Sequence, residues 1–384
     1  MPKTGWPEVA EPALPVPGHS TPAASPPASS KSRLASVDAL RLIAILGVIC
    51  IHTHPFTANR LVGYSKNWEL LGEGITYLCR FAVPFFFCIS GFFWGTKIRN
   101  GQNIGAVSRS MALRLAKIYV FWSVVYWLEN RIELLGKPWA PWALRNVQEI
   151  PLARLRHPEF LLGGAGVYHL WFLPALLCSV AIAWLFLAFK HERLLIAFSI
   201  ALFALAVLAR PYSESTIGIS PWIAGHYIEM RDGPFFGTLF FVTGYLLSGC
   251  QRRSQWFRLG LLLFTAGLLL SAIEIHAIHV LLHAPPVPDY YQDFVFATYA
   301  MGIGTTLMSL APGPYLMGSK ATRLGRFTLG IYCAHLLFVD LLSASMESLN
   351  SPIAEVAFPI LVLLLTIPFV ILLSKSALTR SFVQ

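Results

Sequence analysis

Apolar residues in this chain do not alternate with polar ones; they run. Ten apolar stretches, 38–56, 75–96, 112–135, 168–189, 192–210, 234–249, 256–275, 293–311, 325–344 and 354–374, stand between short polar segments. Most approach the roughly 20 residues that a helix needs to cross the hydrocarbon core of a bilayer. A run with no polar face suits a helix surrounded by lipid and other helices, where each segment satisfies its own backbone groups. The fourth and fifth runs are joined only by Lys190, His191, Glu192 and Arg193, which predicts an antiparallel helical hairpin. The predicted fold is therefore all-α: a polytopic membrane bundle of about ten helices.

Residues 1–33 break the pattern. They are rich in Pro, Ala and Ser and lack apolar periodicity, so they read as a disordered cytoplasmic tail ahead of a membrane-embedded domain over 34–384. They do not form a secretory signal. The first apolar run starts only near Leu40, many more follow, and no small-residue cleavage site comes after it.

Composition agrees. Charged residues make up 12% of the chain and hydrophobic ones 55%, whereas a soluble domain carries about 25% charge. The net charge of +10 is no sign of a nucleic-acid partner, because the basic residues sit in short clusters between apolar runs. With the N-terminus in the cytoplasm, most of the 29 Lys and Arg fall on the cytoplasmic side. That asymmetry predicts both termini inside and an even number of spans. The six cysteines lie in or beside apolar runs without a CxxC pair, so neither a disulfide framework nor a zinc site is expected, and no other metal is implied. No glycine-rich phosphate loop of the ATP-driven pumps occurs. The longest outer loop, about 136–167, holds the tryptophans of KPWAPWALR, either an interfacial belt or a surface for sugar.

Ionisable residues inside such spans are candidates for function. In the first, DALRLIAILGVICIH, Arg41 and His52 are eleven residues apart, about 20° in rotation and about 16 Å along the axis, so they share a face. Asp38 lies three residues before Arg41 and can pair with it. Arg41 is either a snorkelling anchor or a ligand contact; His52 is either a satisfied interfacial histidine or a reacting group, as a base or as a transient carrier of the transferred group. In the second, RFAVPFFFCISGFFWG, Pro84 predicts a kink, and Ser90 and Gly91 permit close approach of a helix or a ligand. Arg80 would face a carboxylate or the acceptor. Arg114 and Lys117 share a face at the cytoplasmic start of the third, where two cations suit a phosphate-bearing ligand or ordinary anchoring. His169 and Trp171 open the fourth within YHLWFLPALL. His335, in LGRFTLGIYCAH, is set deep in the ninth, to hydrogen-bond a neighbouring helix or to serve a site.

These four segments and RLAKIY at the start of the third span, in chain order and over nearly the whole chain after residue 33, resemble the successive signatures of the acyltransferase-3 family of membrane acyltransferases. The resemblance implies ten membrane helices in a bacterial inner membrane. It implies transfer of an acyl group, usually acetyl, from cytoplasmic acyl-CoA to a hydroxyl of a surface polysaccharide or lipid-linked oligosaccharide. His52 and Arg41 match the family's first-helix histidine and arginine, the catalytic pair. Arg114 and Lys117 match its paired cytoplasmic arginines, with lysine in the second place, and with Ser90 and Gly91 are expected to hold acetyl-CoA. His169, Trp171, His335 and Arg80 are expected on the acceptor side. The reading from another class is a glycan or lipid-carrier transporter, which would show similar length and intramembrane charge, but the paired repeats with broken helices common in transporters are not seen.

Overall fold

A computed structural model describes residues 34–56, 66–133, 157–223, 226–227, 229–282, 293–313 and 321–383. Residues 1–33, read as a tail, and the tryptophans Trp139 and Trp142 of the loop expected on the outer side lie outside the described residues. The helices, in chain order, are α1 (Ala35–Thr53), α2 (Lys66–Cys79), α3 (Ala82–Arg99), α4 (Ile104–Glu133), α5 (Pro158–Leu162), α6 (Phe172–Ala188), α7 (Glu192–Leu208), α8 (Gly237–Leu247), α9 (Gln255–Val280), α10 (Thr298–Leu310), α11 (Thr328–Leu349) and α12 (Pro352–Lys375). A 3-10 segment, Ala321–Phe327, leads into α11. Among the described residues the remaining regular structure is one short antiparallel pairing of Trp222–Ile223 with His226–Tyr227, and a second 3-10 turn at Arg380–Phe382.

Every apolar run of the sequence contains a helix. Among the described residues six stretches are long and apolar enough to cross a membrane: Ala35–Thr53, Asn67–Arg99, Ile104–Glu129, Gln255–Val280, Leu324–Leu349 and Pro352–Lys375. α6 and α8 are apolar but shorter. The expected hairpin of the fourth and fifth runs is present. α6 ends at Ala188, α7 starts at Glu192, and Lys190 turns the chain in the left-handed region at φ 61°.

The second run departs from expectation. It is not one helix kinked at Pro84. The chain breaks at Arg80–Phe81, and Pro84 sits in the first turn of α3. A proline there lacks only an N–H that would have no partner in its own helix anyway, so it starts a helix rather than bending one.

Packing is close where side chains are small. Gly91 of α3 lies against the backbone carbonyl of Phe241 in α8, and Gly244 of α8 lies against the carbonyl of Cys88. A β-carbon at either place would collide with backbone, so α3 and α8 meet at a separation only glycine allows.

α1 and α11 run the same way. The start of α1 meets the 3-10 segment before α11, where the Gly325 backbone abuts the Asp38 side chain. One helix later, Glu355 in the first turn of α12 reaches the far end of α1, accepting a hydrogen bond from the Phe56 N–H at 2.7 Å. α12, opened by Pro352 and capped by Ser351, returns antiparallel to both.

Candidate functional site

α1 carries two polar groups at its two ends. Near its start Arg41 donates from NH1 to Asp38 Oδ1 at 3.3 Å, with its Cζ 5.1 Å from the centre of the Phe93 ring in α3. The pairing expected from the three-residue spacing is thus formed. Asp38 is buried at 4% exposure and Arg41 is half-buried. A cation over an aromatic face and beside a carboxylate is held in one direction.

His52 lies in the last turn of α1, half-buried, and its position is fixed from both sides of the helix end. His54 ends the helix in the left-handed region at φ 44°, its N–H bonded to the Cys50 carbonyl. Phe56 is also left-handed at φ 61°, bonded to Glu355 and stacked on Trp68 at 5.1 Å. Left-handed backbone is unfavourable for residues with a β-carbon and persists where the surroundings impose it.

Two further imidazoles close on His52. The His335 ring, from the second turn of α11, is centred 5.2 Å away, and the His169 ring, from the turn before α6, is centred 6.3 Å away. His169 and His335 are themselves 5.2 Å apart and fully buried. Tyr168, which is exposed, meets His52 edge-on at 5.3 Å.

α11 supplies the anchors. His335 Nδ1 lies 2.6 Å from the Tyr332 carbonyl, and His169 Nε2 lies 3.2 Å from the Cys333 carbonyl. Tyr126 of α4 donates to the same Cys333 carbonyl at 2.7 Å, and Tyr332 donates back to the His169 carbonyl. A carbonyl oxygen can only accept, so the ring nitrogen facing it carries the proton. In the neutral rings that leaves His335 Nε2 and His169 Nδ1 as bare acceptors. Both are buried without a hydrogen-bond partner among the described residues. Two buried lone pairs without donors are costly in a structural core and fitting in a site that receives a hydroxyl.

A second polar group lies in the connections between α7 and α8 and before α10. Buried Arg210 pairs with Glu229 and with Asp293, the latter through Nε at 3.0 Å and NH2 at 3.4 Å. Arg231 donates to Asp293 at 3.2 Å, lies 3.8 Å from Asp232, and places its guanidinium 5.0 Å from the centre of the Trp171 ring. Burial pushes the Asp232 carboxyl up to about 6, against the pull of Arg231 and Arg210.

Of the residues singled out from sequence, the fold brings His52, His169 and His335 together. Trp171, two residues from His169, is buried between Phe87, Phe236 and Arg231. Arg80 is buried at the α2–α3 break with its guanidinium 4.1 Å from the centre of the Tyr77 ring. Arg114 and Lys117 stand on exposed positions of α4 above buried Leu115 and Ile118. Gly91 faces α8, so of the two roles its sequence allowed, helix packing is the one its surroundings fit; Ser90 beside it is half-buried. Arg41 and His52 touch different neighbours. Tyr126, Tyr168 and Tyr332 were not singled out. Only Tyr332 carried a signal, being three residues before His335 and so on its face of the helix. No group of three His, Cys, Asp or Glu side chains among the described residues is arranged to hold a metal ion.

A family model described as an acyltransferase domain matches residues 34–375. Two curated proteins of Enterococcus faecalis, both named amino-acid racemase, are similar to this chain. One is 25% identical over 224 residues, covering 56% of this chain and 28% of that protein. The other is 25% identical over 267 residues, covering 64% and 34%. The chain thus spans about a third of the length of these relatives. No solved structure matches.

Proposed function

The chain belongs to the acyltransferase-3 family, and on that premise we propose that it is an integral membrane O-acyltransferase moving an acyl group, acetyl by preference, from cytoplasmic acyl-CoA to a hydroxyl of a cell-surface or lipid-linked polysaccharide. The observation that carries the reading is the gathering of His52, His169 and His335 from three distant parts of the chain around one half-buried imidazole. In this reading Arg114, Lys117 and Arg41 hold the phosphates of CoA at the cytoplasmic end, where cations bind such groups well. The thioester reaches inward along α1. His52 acts as general base. Its ring takes the proton of the acceptor hydroxyl, the oxygen bonds to the thioester carbonyl carbon, and the carbon–sulfur bond breaks to release CoA. Tyr168, exposed beside His52, is placed to meet the sugar.

Ten spans with both termini cytoplasmic complete the proposal. The parallel course of α1 and α11 supports it, since the first and ninth of ten spans must cross in the same direction. The test is mass spectrometry of surface glycans from cells carrying the wild-type protein, no protein, or His52→Ala. Loss of the acyl mass increment in both the second and third is expected. Full acylation with His52→Ala would overturn the reading.

A further inference from the structure

The bare nitrogen of His335 has work that the reaction above leaves open. A base that receives a proton on one ring nitrogen must present that nitrogen unprotonated, so its other nitrogen carries hydrogen and needs an acceptor. In serine hydrolases a carboxylate supplies that acceptor. Among the described residues no carboxylate is seen against the His52 ring; its ring neighbours are Tyr168, His169 and His335. No hydrogen bond holds the His52 ring among the described residues, while His335 is pinned through Nδ1–H to the Tyr332 carbonyl at 2.6 Å. Its Nε2 is buried and has no donor among the described residues. Of the two flanking imidazoles, His335 is the nearer, at 5.2 Å between ring centres against 6.3 Å for His169. Two imidazoles joined edge to edge by an N–H···N bond have centres about 5 Å apart, so the spacing suits a direct bond. The bond requires a turn of the His52 ring about its soft outer torsion.

We propose that His335 is a positioning residue: its Nε2 accepts the ring N–H of His52, fixing which His52 nitrogen is free to take the proton of the acceptor hydroxyl. This rests on the acyltransferase reading and adds a residue to it. The acceptor O–H proton passes to the free His52 nitrogen as the new oxygen–carbon bond forms. The electrons of the breaking carbon–sulfur bond leave on the thiolate of CoA, which recovers that proton from His52. Through the cycle His335 stays neutral and carries no proton away; it holds the hydrogen on the far side of the His52 ring and steadies the transient imidazolium.

Two substitutions separate this role from a structural one. In His335→Asn the amide sits near the place of Nδ1, keeps the bond to Tyr332 and offers nothing at the place of Nε2. In His335→Gln the amide oxygen reaches the place of Nε2 and serves as acceptor. Initial rates are measured in inside-out membrane vesicles from producing cells, which contain the native acceptor, with radiolabelled acetyl-CoA as donor. His335→Asn is expected to lower the maximal rate about 100-fold, as loss of an orienting partner does, with the half-saturating donor concentration unchanged. His335→Gln is expected to recover to within about tenfold of wild type. Equal activity of the two variants, or greater activity in His335→Asn, overturns the inference. Should His52→Ala abolish transfer while His335→Asn is fully active, the inference falls and the acyltransferase reading stands; should His52→Ala itself remain active, both fall.

Discussion

Glu355 and Phe56 join the first turn of α12 to the end of α1 through a 2.7 Å hydrogen bond from backbone N–H to carboxylate. The bond holds Phe56 in a left-handed backbone only four residues beyond His52, so it ties the chain that follows the imidazole to α12. Glu355→Ala removes a buried acceptor and is expected to cost about 1–3 kcal/mol of stability. The cost should appear as a lower thermal midpoint in detergent, together with a reduced rate of acyl transfer. An unchanged rate at full occupancy of folded protein would show that His52 is placed without this tie.

The acidity of Asp232 gives stability a pH dependence of known sign. Its carboxyl is raised from 3.8 to about 6 in the fold, chiefly by burial. The folded state therefore holds the proton more tightly than the unfolded chain. The resulting stabilisation is fully present below about pH 4 and is lost as pH rises through about 6. Asn at this position cannot titrate. The stability of wild type relative to Asp232→Asn should fall by about 2–3 kcal/mol between pH 4 and pH 7, read from thermal midpoints of the two proteins in matched buffers. A difference that stays flat across that range would contradict the burial argument.

Arg114 and Lys117 are exposed on α4, and in the proposed reaction they hold phosphate. Replacing either by Ala should raise the half-saturating concentration of acetyl-CoA about tenfold, the worth of one charge-assisted hydrogen bond, with little change in maximal rate. Added salt should weaken donor binding to wild type more than to the double variant, because exposed charges are screened. If maximal rate falls instead and donor affinity does not, these side chains act elsewhere than on the phosphates.

Much of the helical framework was legible in the sequence because lipid imposes a simple pattern: long apolar runs, each holding its own backbone bonds. The Asp38–Arg41 pair was legible for a local reason, the three-residue spacing on a helix. The break at Arg80–Phe81 was not, because the apolar run continues through it and the proline that marks it, Pro84, lies downstream, inside the new helix. His52, His169 and His335 were each visible as ionisable residues in apolar company. Their meeting was not visible, since it depends on α11 running alongside α1, a relationship no local pattern encodes. The pairing of Arg210 with Asp293 was hidden for the same reason. Gly91 could be read as an opening for a ligand or for a helix, and only the backbone of α8 decides which.

The shared direction of α1 and α11 also has a bearing on biosynthesis. A ribosome feeding this chain into the bilayer delivers His52 with the first span and His335 only near the finish. Until α11 inserts beside α1, the early imidazole lacks His335, the acceptor proposed for its ring N–H. On the proposed role of His335, chemistry is thereby withheld from half-made chains, and a truncation ahead of α11 is expected to leave a membrane-bound but inert fragment.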